Sequence, residues 1–399
     1  MKVVCVGGGP AGLYLAILLK RQDPAHDVTV HERDAEGSTY GWGVTYWRGL
    51  LDRLHEHDPE SARALDAHSV RWDEGVAHVR DLTTRHRGDQ GHGIGRHRLL
   101  EILTDRARAL GVHVAHEHEV GPDRLPAADL VVAADGVGSV LRARHAGHFG
   151  TEVTTGRNRY IWLGTTKVFD AFTFAFVETG HGWIWCYGYP FDGGRSTCVV
   201  ECAPETLTGL GLDRADEAEA LTLLEQLFAT VLDGHRLIGG ASARGGAQWL
   251  TFRTLTNRTW YRGNLVLVGD AAHTTHYSIG AGTTLALEDA IVLAAALREH
   301  AALPQALARY ERERMSALLP AQSAARHSAQ WYEDLPRYIH LPPERMFALL
   351  GQRHSPLLPY VPPQLYYRLD RAAGQLETLR RFKRWLGPKL ARAAHGRTP

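Results

Sequence analysis

The sequence predicts an α/β fold in which a parallel sheet flanked by helices is joined to an antiparallel sheet and followed by C-terminal helices. Three observations predict it. An apolar strand, Lys2-Val-Val-Cys-Val6, runs straight into a turn carrying Gly7, Gly9 and Gly12 and then into a helix. Two later apolar runs, Leu130-Val-Val-Ala-Ala134 and Leu265-Val-Leu-Val268, deliver Asp135 and Asp270 ahead of glycine-bearing loops. Between those runs, four segments from Arg159 to Glu201 are rich in aromatic and β-branched residues and separated by Asp, Gly and Pro turns, the pattern of consecutive antiparallel strands.

The elements follow in chain order. Gly7 permits a tight turn, Gly9 lets backbone amides approach a pyrophosphate, and Gly12 lets the helix that starts at Pro10-Ala11 pack closely on the strand. The start of that helix offers unpaired N–H groups and a partial positive charge to the same phosphates. Asp27-Val-Thr-Val-His31 reads as the second strand and ends at Glu32, with Arg33 beside it. An acid in that place accepts from a ribose hydroxyl. Together these make a Rossmann-like unit for an ADP moiety. Asp270 is followed by His273 and by Gly280-Ala281-Gly282, the lead-in to an apolar helix from Thr283 to Leu297. A strand-end acid before such a loop suits a second contact to a phosphate and a polyol. Asp270 is placed to accept from a ribityl hydroxyl, and the amides from Gly280 to Thr283 to face the pyrimidine edge of a flavin. Residues 1–70, 86–150 and 262–340 are expected to form a discontinuous nucleotide-binding domain. Residues 71–85 and 151–261 are expected to form a substrate-binding sheet domain, and 341–399 a C-terminal helical segment.

A chain of 399 residues is long enough for both domains. Its 45 basic residues balance 44 acidic ones, which argues against a general attraction to nucleic acid or anionic membrane. The N-terminal apolar run is short and glycine-broken, unlike a secretory signal. No apolar stretch reaches the roughly 18 residues that span a bilayer. Cys5, Cys186, Cys198 and Cys202 lack CxxC spacing and read as reduced thiols of a cytoplasmic protein. No metal is called for.

The glycine motif, Asp135-Gly136-Val-Gly-Ser139-Val-Leu-Arg142 and Gly269-Asp270-Ala-Ala-His273 together resemble the FAD-dependent aromatic hydroxylases with a single nucleotide-binding domain. Arg96-His-Arg98-Leu99 resembles their arginine helix, which implies Arg96 and Arg98 near the flavin phosphates. The resemblance implies bound FAD, NADH or NADPH as a reductant without a fold of its own, and O₂ as co-substrate. From about Asn158 to Pro342 the chain resembles the salicyloyl-CoA 5-hydroxylase group, including the hydroxylase half of anthraniloyl-CoA monooxygenases. The residues that carry this are Asn158-Arg-Tyr-Ile-Trp-Leu-Gly-Thr-Thr-Lys167, Phe169-Asp-Ala-Phe-Thr-Phe-Ala-Phe176, His273-Thr-Thr-His276, Ser323-Ala-Ala-Arg326, Trp331 and Tyr338-Ile-His-Leu-Pro342. Tyr40-Gly-Trp42-Gly43-Val44 fits too, with Trp42 and Gly43 expected beside the cofactor, and is shared with violacein-pathway indole hydroxylases. Thr45-Tyr-Trp-Arg48 and the segment beyond Pro343 depart from the pattern, as does the lack of prolines after His273.

The implied activity is hydroxylation of an electron-rich ring, foremost an aryl-CoA thioester such as salicyloyl-CoA, para to its hydroxyl. The alternative is a free indolic or aromatic-acid substrate. His276 and Tyr277, where relatives carry prolines, offer an imidazole and a phenol able to orient or deprotonate a ring hydroxyl. His276 alternatively only packs and hydrogen-bonds to backbone. Trp162, Phe174, Phe176, Trp183 and Trp185 form either an aromatic cradle or core. A halogenase is disfavoured because no lysine lies between Lys20 and Lys167. Basic residues from Arg371 through Arg380, Arg381, Lys383, Arg384, Lys389, Arg392 and Arg397 form a solvated face or meet CoA phosphates.

Overall fold

The computed structural model describes residues 1–123, 125–240 and 248–375. Its first sheet has the strand order Tyr261–Arg262, Leu265–Leu267, Leu130–Ala133, Lys2–Val6, Asp27–His31, His113–Ala115. Every pairing in it is parallel except the edge hairpin. Leu130–Ala133 is buried at each residue, as expected of a parallel strand covered on both faces. Helix α1 (Pro10–Gln22) packs against α2 (Arg96–Ala109) and α3 (Gly282–Glu299). Its residues Ala11 to Leu19 are all buried, so it lies inside the domain rather than on its surface.

The second sheet runs Leu237–Ile238, Glu152–Thr165, Ser196–Cys202, Gly182–Pro190, Phe172–Thr179, Val70–Val79, Leu82–Gly95, Gly43–Trp47, with Leu250–Thr256 also paired to Glu152–Thr165. Residues 71–85 lie within it as parts of two longer strands. The sheet also takes in 43–47 and 86–95, beyond the bounds read from the sequence. Glycines at 88, 91, 93 and 95 hide the β pattern of that second strand. Two of them are needed for close approach: a Cβ at Gly91 would collide with the Trp72 ring, and one at Gly93 with the Pro190 carbonyl.

Side chains alternate between the sheet's two faces. Ile184, Cys186, Cys198, Val200 and Cys202 face one core with the helix Glu217–Leu227. Phe174, Phe176, Trp185, Tyr187 and Tyr189 face another. Helix α4 (Leu303–Glu333) joins the two sheets. Near its start Tyr310 donates to the Leu267 carbonyl at 3.0 Å. Near its end Tyr332 stacks on Trp185 at 5.8 Å and Trp331 meets Phe176 edge-on at 6.5 Å. All four cysteines are free and buried. No helix among the described residues is long and apolar enough to cross a membrane. Arg371 donates to Tyr367 Oη at 3.3 Å; the basic residues from Arg380 to Arg397 lie outside the described residues.

Candidate cofactor and active site

The three loops read from the sequence meet at the carboxyl ends of the parallel strands, where open α/β sheets bind ligands. Gly7 has φ +114°, and a Cβ there would collide with the Ala134 carbonyl; one at Gly12 would collide with the Gly7 carbonyl. Gly9 has open space in front of it. Gly269, at φ +59°, brings the late loop against Ala11, whose Cβ would lie 3.1 Å from one added there. Arg142 ties the middle loop to the late one by donating to the Ala271 carbonyl at 3.1 Å and the Val137 carbonyl at 2.6 Å.

Glu32 lies across the glycine turn, accepting from the N–H groups of Gly8 at 2.7 Å and Asp34 at 3.0 Å. A cleft of about 230 Å³ opens beside it, lined by Gly8, Gly9, Glu32, Asp34, Arg96 and His116 among others. Arg96 begins α2, and its buried Nε has no partner among the described residues. Burial presses this guanidinium down from its ordinary pKa, while Asp270 opposes the shift. Asp135 accepts from the Val140 N–H at 2.9 Å, yet its other oxygen is buried and has no partner among the described residues. Burial raises its carboxyl.

Asp270 is open to solvent on one side of this concavity and its carboxylate makes no hydrogen bond among the described residues. Crowding by the surrounding protein pushes its pKa up, against His273 and Arg96. Its turn is held by residues the sequence reading missed. Asp289, within α3 and fully buried, accepts from the Gly269 N–H at 2.8 Å, from His273 Nε2 at 2.9 Å and from Arg314 Nε at 2.7 Å. Burial alone would raise the Asp289 carboxyl, but His273 and Arg314 together hold it below the ordinary range. His273 stacks on Trp260 at 5.1 Å, so it braces the loop. An acid inside an apolar helix was the available signal.

Four other candidates stand apart from the Glu32 cleft. Arg98 binds Glu101 at 2.6 Å and His68 at 2.7 Å. Arg33 is exposed, with Asp34 3.8 Å away. Trp42 lies against Gly164. Gly43 donates its N–H to Thr197 Oγ1 at 2.9 Å and accepts from Tyr189 Oη at 2.8 Å, so the second sheet holds both its backbone groups. Gly280, at φ +61°, presses on Thr45, whose Oγ1 lies 2.6 Å from where a Cβ would be. Ala281 caps α3 without a side-chain acceptor, leaving the N–H groups of Gly282 and Thr283 free of a capping bond.

The same late loop carries His276 and Tyr277. His276 Nδ1 accepts from the Ser278 N–H at 3.3 Å and meets Ser278 Oγ at 2.8 Å, which puts the ring proton on Nε2. Burial and Arg353 push its pKa down to about 3. The ring is therefore neutral and suited to donate a hydrogen bond, the orienting half of its expected role. Ser278 Oγ continues to Ser328 Oγ at 2.7 Å, and Arg353 reaches Ser328 at 3.1 Å and the Ser278 carbonyl at 2.9 Å. Tyr277 lies against Tyr160 at 4.5 Å, Phe252 at 5.7 Å and Tyr187 at 6.2 Å. Its phenol donates to Glu201 at 2.5 Å. Of the expected cradle, Phe176 and Trp185 are packed beneath α4 and Trp183 lies under Arg80. The wall nearest Tyr277 is instead Tyr160, Tyr187 and Phe252, which the sequence reading did not single out.

A glycine-turn cleft on a parallel sheet and an aromatic cluster on a second sheet, joined by one shared loop, fit the class of flavoprotein oxygenases. The comparisons agree: a family model described as an FAD binding domain matches residues 121–319. Salicyloyl-CoA 5-hydroxylase of a Streptomyces species is 38% identical over 349 residues, 85% of this chain; the chain spans only 66% of that relative's length. The 3-hydroxy-4-methyl-anthranilyl-(aryl-carrier protein) 5-monooxygenase of Streptosporangium sibiricum is 36% identical, covering 88% of this chain and 94% of its own. Protodeoxyviolaceinate monooxygenase of Chromobacterium violaceum is 30% identical, covering 90% and 96%. The chain belongs to the FAD-dependent aromatic monooxygenases.

Proposed function

We propose that the chain hydroxylates an electron-rich aromatic ring held as an aryl thioester, with salicyloyl-CoA the leading substrate and oxygen entering para to the ring hydroxyl. NADH or NADPH and O₂ are the co-substrates. The observation that carries this reading is the loop from His276 to Gly282, which packs an imidazole and a phenol against the aromatic rings of the second sheet and then starts α3 uncapped. It is supported by two relatives whose names join an aryl group to CoA or to a carrier protein.

In this reading Glu32 holds the adenosine ribose. Gly7, Gly9, Gly12 and the start of α1 at Pro10 and Ala11 take the pyrophosphate, with Arg96 beside it. Asp135 and Asp270 take polyol or phosphate contacts, and Ala281, Gly282 and Thr283 face the pyrimidine edge. FAD held by these residues would supply the redox chemistry that activates O₂. His276 donates from Nε2 to a substrate oxygen and fixes the ring's position. Helix α4 covers the aromatic face and excludes water, while the CoA or carrier moiety lends remote binding energy to that alignment.

The test is NADH and NADPH oxidation with aryl-CoA esters and with the matching free acids. Faster oxidation coupled to hydroxylated product is expected with the esters alone. Stimulation by free acids or indoles alone would overturn the thioester reading and favour the second one, a free indolic substrate, for which the likeness to the violacein-pathway enzyme speaks.

A further inference from the structure

Glu201 is a buried carboxyl with no part in the cofactor cradle. It lies near the end of Ser196–Cys202 on the aromatic face, paired with Trp185 and Tyr160 in the neighbouring strands, and is 1% exposed. An apolar side chain would fill that place without the cost of burying a charge. Both its oxygens are engaged: Asn158 Nδ2 donates to one at 2.7 Å and Tyr277 Oη to the other at 2.5 Å. An amide N–H does not deliver a proton, whereas a phenol does. Tyr277 is half-buried where Glu201 is sealed. Its O–H is committed to Glu201, so its oxygen has a lone pair left for an incoming donor.

Resting on the aryl-hydroxylase reading, we propose that Tyr277 and Glu201 form a relay that removes the proton from the substrate's ring hydroxyl. Tyr277 touches the substrate; Glu201 is the positioning residue and final acceptor. The substrate O–H bond breaks as its proton passes to Tyr277 Oη, and the original Tyr277 O–H bond breaks as that proton passes to Glu201. The substrate becomes a phenolate, Tyr277 is restored, Glu201 becomes a neutral acid, and no electrons change owner. The phenolate ring is richer in electrons, which oxygen insertion requires. His276 is no substitute, because its Nδ1 is occupied by the Ser278 N–H.

Burial raises the Glu201 carboxyl to about 7, with the Tyr277 and Asn158 hydrogen bonds opposing and Glu333 adding to the rise. The groups facing it are Tyr277 from the late loop, Tyr160, Trp185 and Tyr187 from adjacent strands, and Tyr332 and Glu333 from α4, while its chain neighbour Cys202 lies on the opposite face. No arginine or lysine is among them, so the carboxyl is free to take a proton near neutrality.

The test uses FAD-loaded wild type, Glu201→Gln, Tyr277→Phe and the double variant with salicyloyl-CoA, and with anthraniloyl-CoA, whose ring carries an amine in place of the hydroxyl. In wild type, kcat for salicyloyl-CoA is expected to rise with pH through a limb near 7. In Glu201→Gln that limb disappears and kcat falls about 100-fold, with KM changed less than about threefold. Tyr277→Phe is expected to match it, and the double variant to be no worse than either single one. Losses on anthraniloyl-CoA, which has no phenolic proton to give up, are expected to be smaller than the losses on salicyloyl-CoA in every variant. The near-ultraviolet spectrum of bound salicyloyl-CoA provides a reading without turnover: phenolate in wild type and phenol in Glu201→Gln. Flavin content per chain checks folding. A pH limb that survives Glu201→Gln, additive losses, or equal losses on both esters would overturn the relay alone. Wild type inactive on every aryl-CoA would overturn the parent reading with it.

Discussion

Replacing Asp270 by alanine separates the cofactor cradle from its scaffold. Asp270 is open to solvent and its carboxylate bonds to nothing among the described residues, so its removal costs the apoprotein no more than about 0.5 kcal/mol. The crowding that pushes its carboxyl up, to which Asp289 adds repulsion, makes even a small gain in apo stability consistent. A hydroxyl bonded to that carboxylate contributes about 1.5–3 kcal/mol, which is roughly 10- to 150-fold in Kd. Flavin per chain after purification and fluorescence-quenching titration of apoprotein with FAD read the affinity. A scanning Tm of the apoprotein reads the scaffold. Poorly flavinated protein with an unchanged apo Tm is expected. A variant that binds FAD within about twofold of wild type, or one whose apoprotein melts much earlier, would refute the role given to this carboxylate.

Asp289→Asn should behave oppositely, because it breaks a fully buried ion network and sets an amide N–H against the Gly269 N–H. A loss of about 3–5 kcal/mol is expected, read as a fall in apo Tm of roughly 2–4 °C per kcal/mol. The Asp289 carboxyl is held below its ordinary range, so the wild-type advantage is full above the unfolded carboxylate pKa of about 3.9. It disappears as pH falls through the lower folded value; a stability gap that widened in acid would contradict this. His276→Ala should keep its flavin and still oxidise NAD(P)H while releasing peroxide instead of hydroxylated product. Peroxide formed per nicotinamide consumed measures this, and normal coupling would reduce His276 to packing.

The nucleotide half was legible because backbone constraints are written in single residues. Gly7, Gly12 and Gly280 stand where a Cβ would collide or φ is positive, and only glycine accepts those places without strain. The carboxylates that matter most were hidden for the opposite reason. Asp289 meets Arg314 from 25 residues away and Glu201 meets Tyr277 from 76. In the sequence, Glu201 is indistinguishable from any acid at a strand end. Its burial exists only once α4 and the late loop close over the sheet. Arg98 shows the reverse: a motif position fits, and only the fold shows that its side chain binds nearby Glu101 and His68. For His276 the residue type gives an imidazole, but only the turn geometry shows that Ser278 occupies its basic nitrogen.

The two hidden carboxylates explain why this fold uses two sheets for one reaction. Both are fully buried, and desolvation alone raises either one. Asp289 is surrounded by Arg314 and His273 and ends below its ordinary range, a fixed anion that braces the Asp270 turn. Glu201 has neutral hydrogen-bond partners, Asn158 and a phenol, with the Glu333 carboxyl adding to the rise, and ends near 7. Equal burial with different partners thus yields one acid that never exchanges a proton at working pH and one poised to do so, the divergence by which acid and base roles are told apart. The late loop carries the braced turn at Gly269 and the exchanging phenol at Tyr277, so a shift of one displaces the other. Weakening the brace is therefore expected to disturb proton removal as well as cofactor binding, whereas breaking the relay leaves the brace untouched.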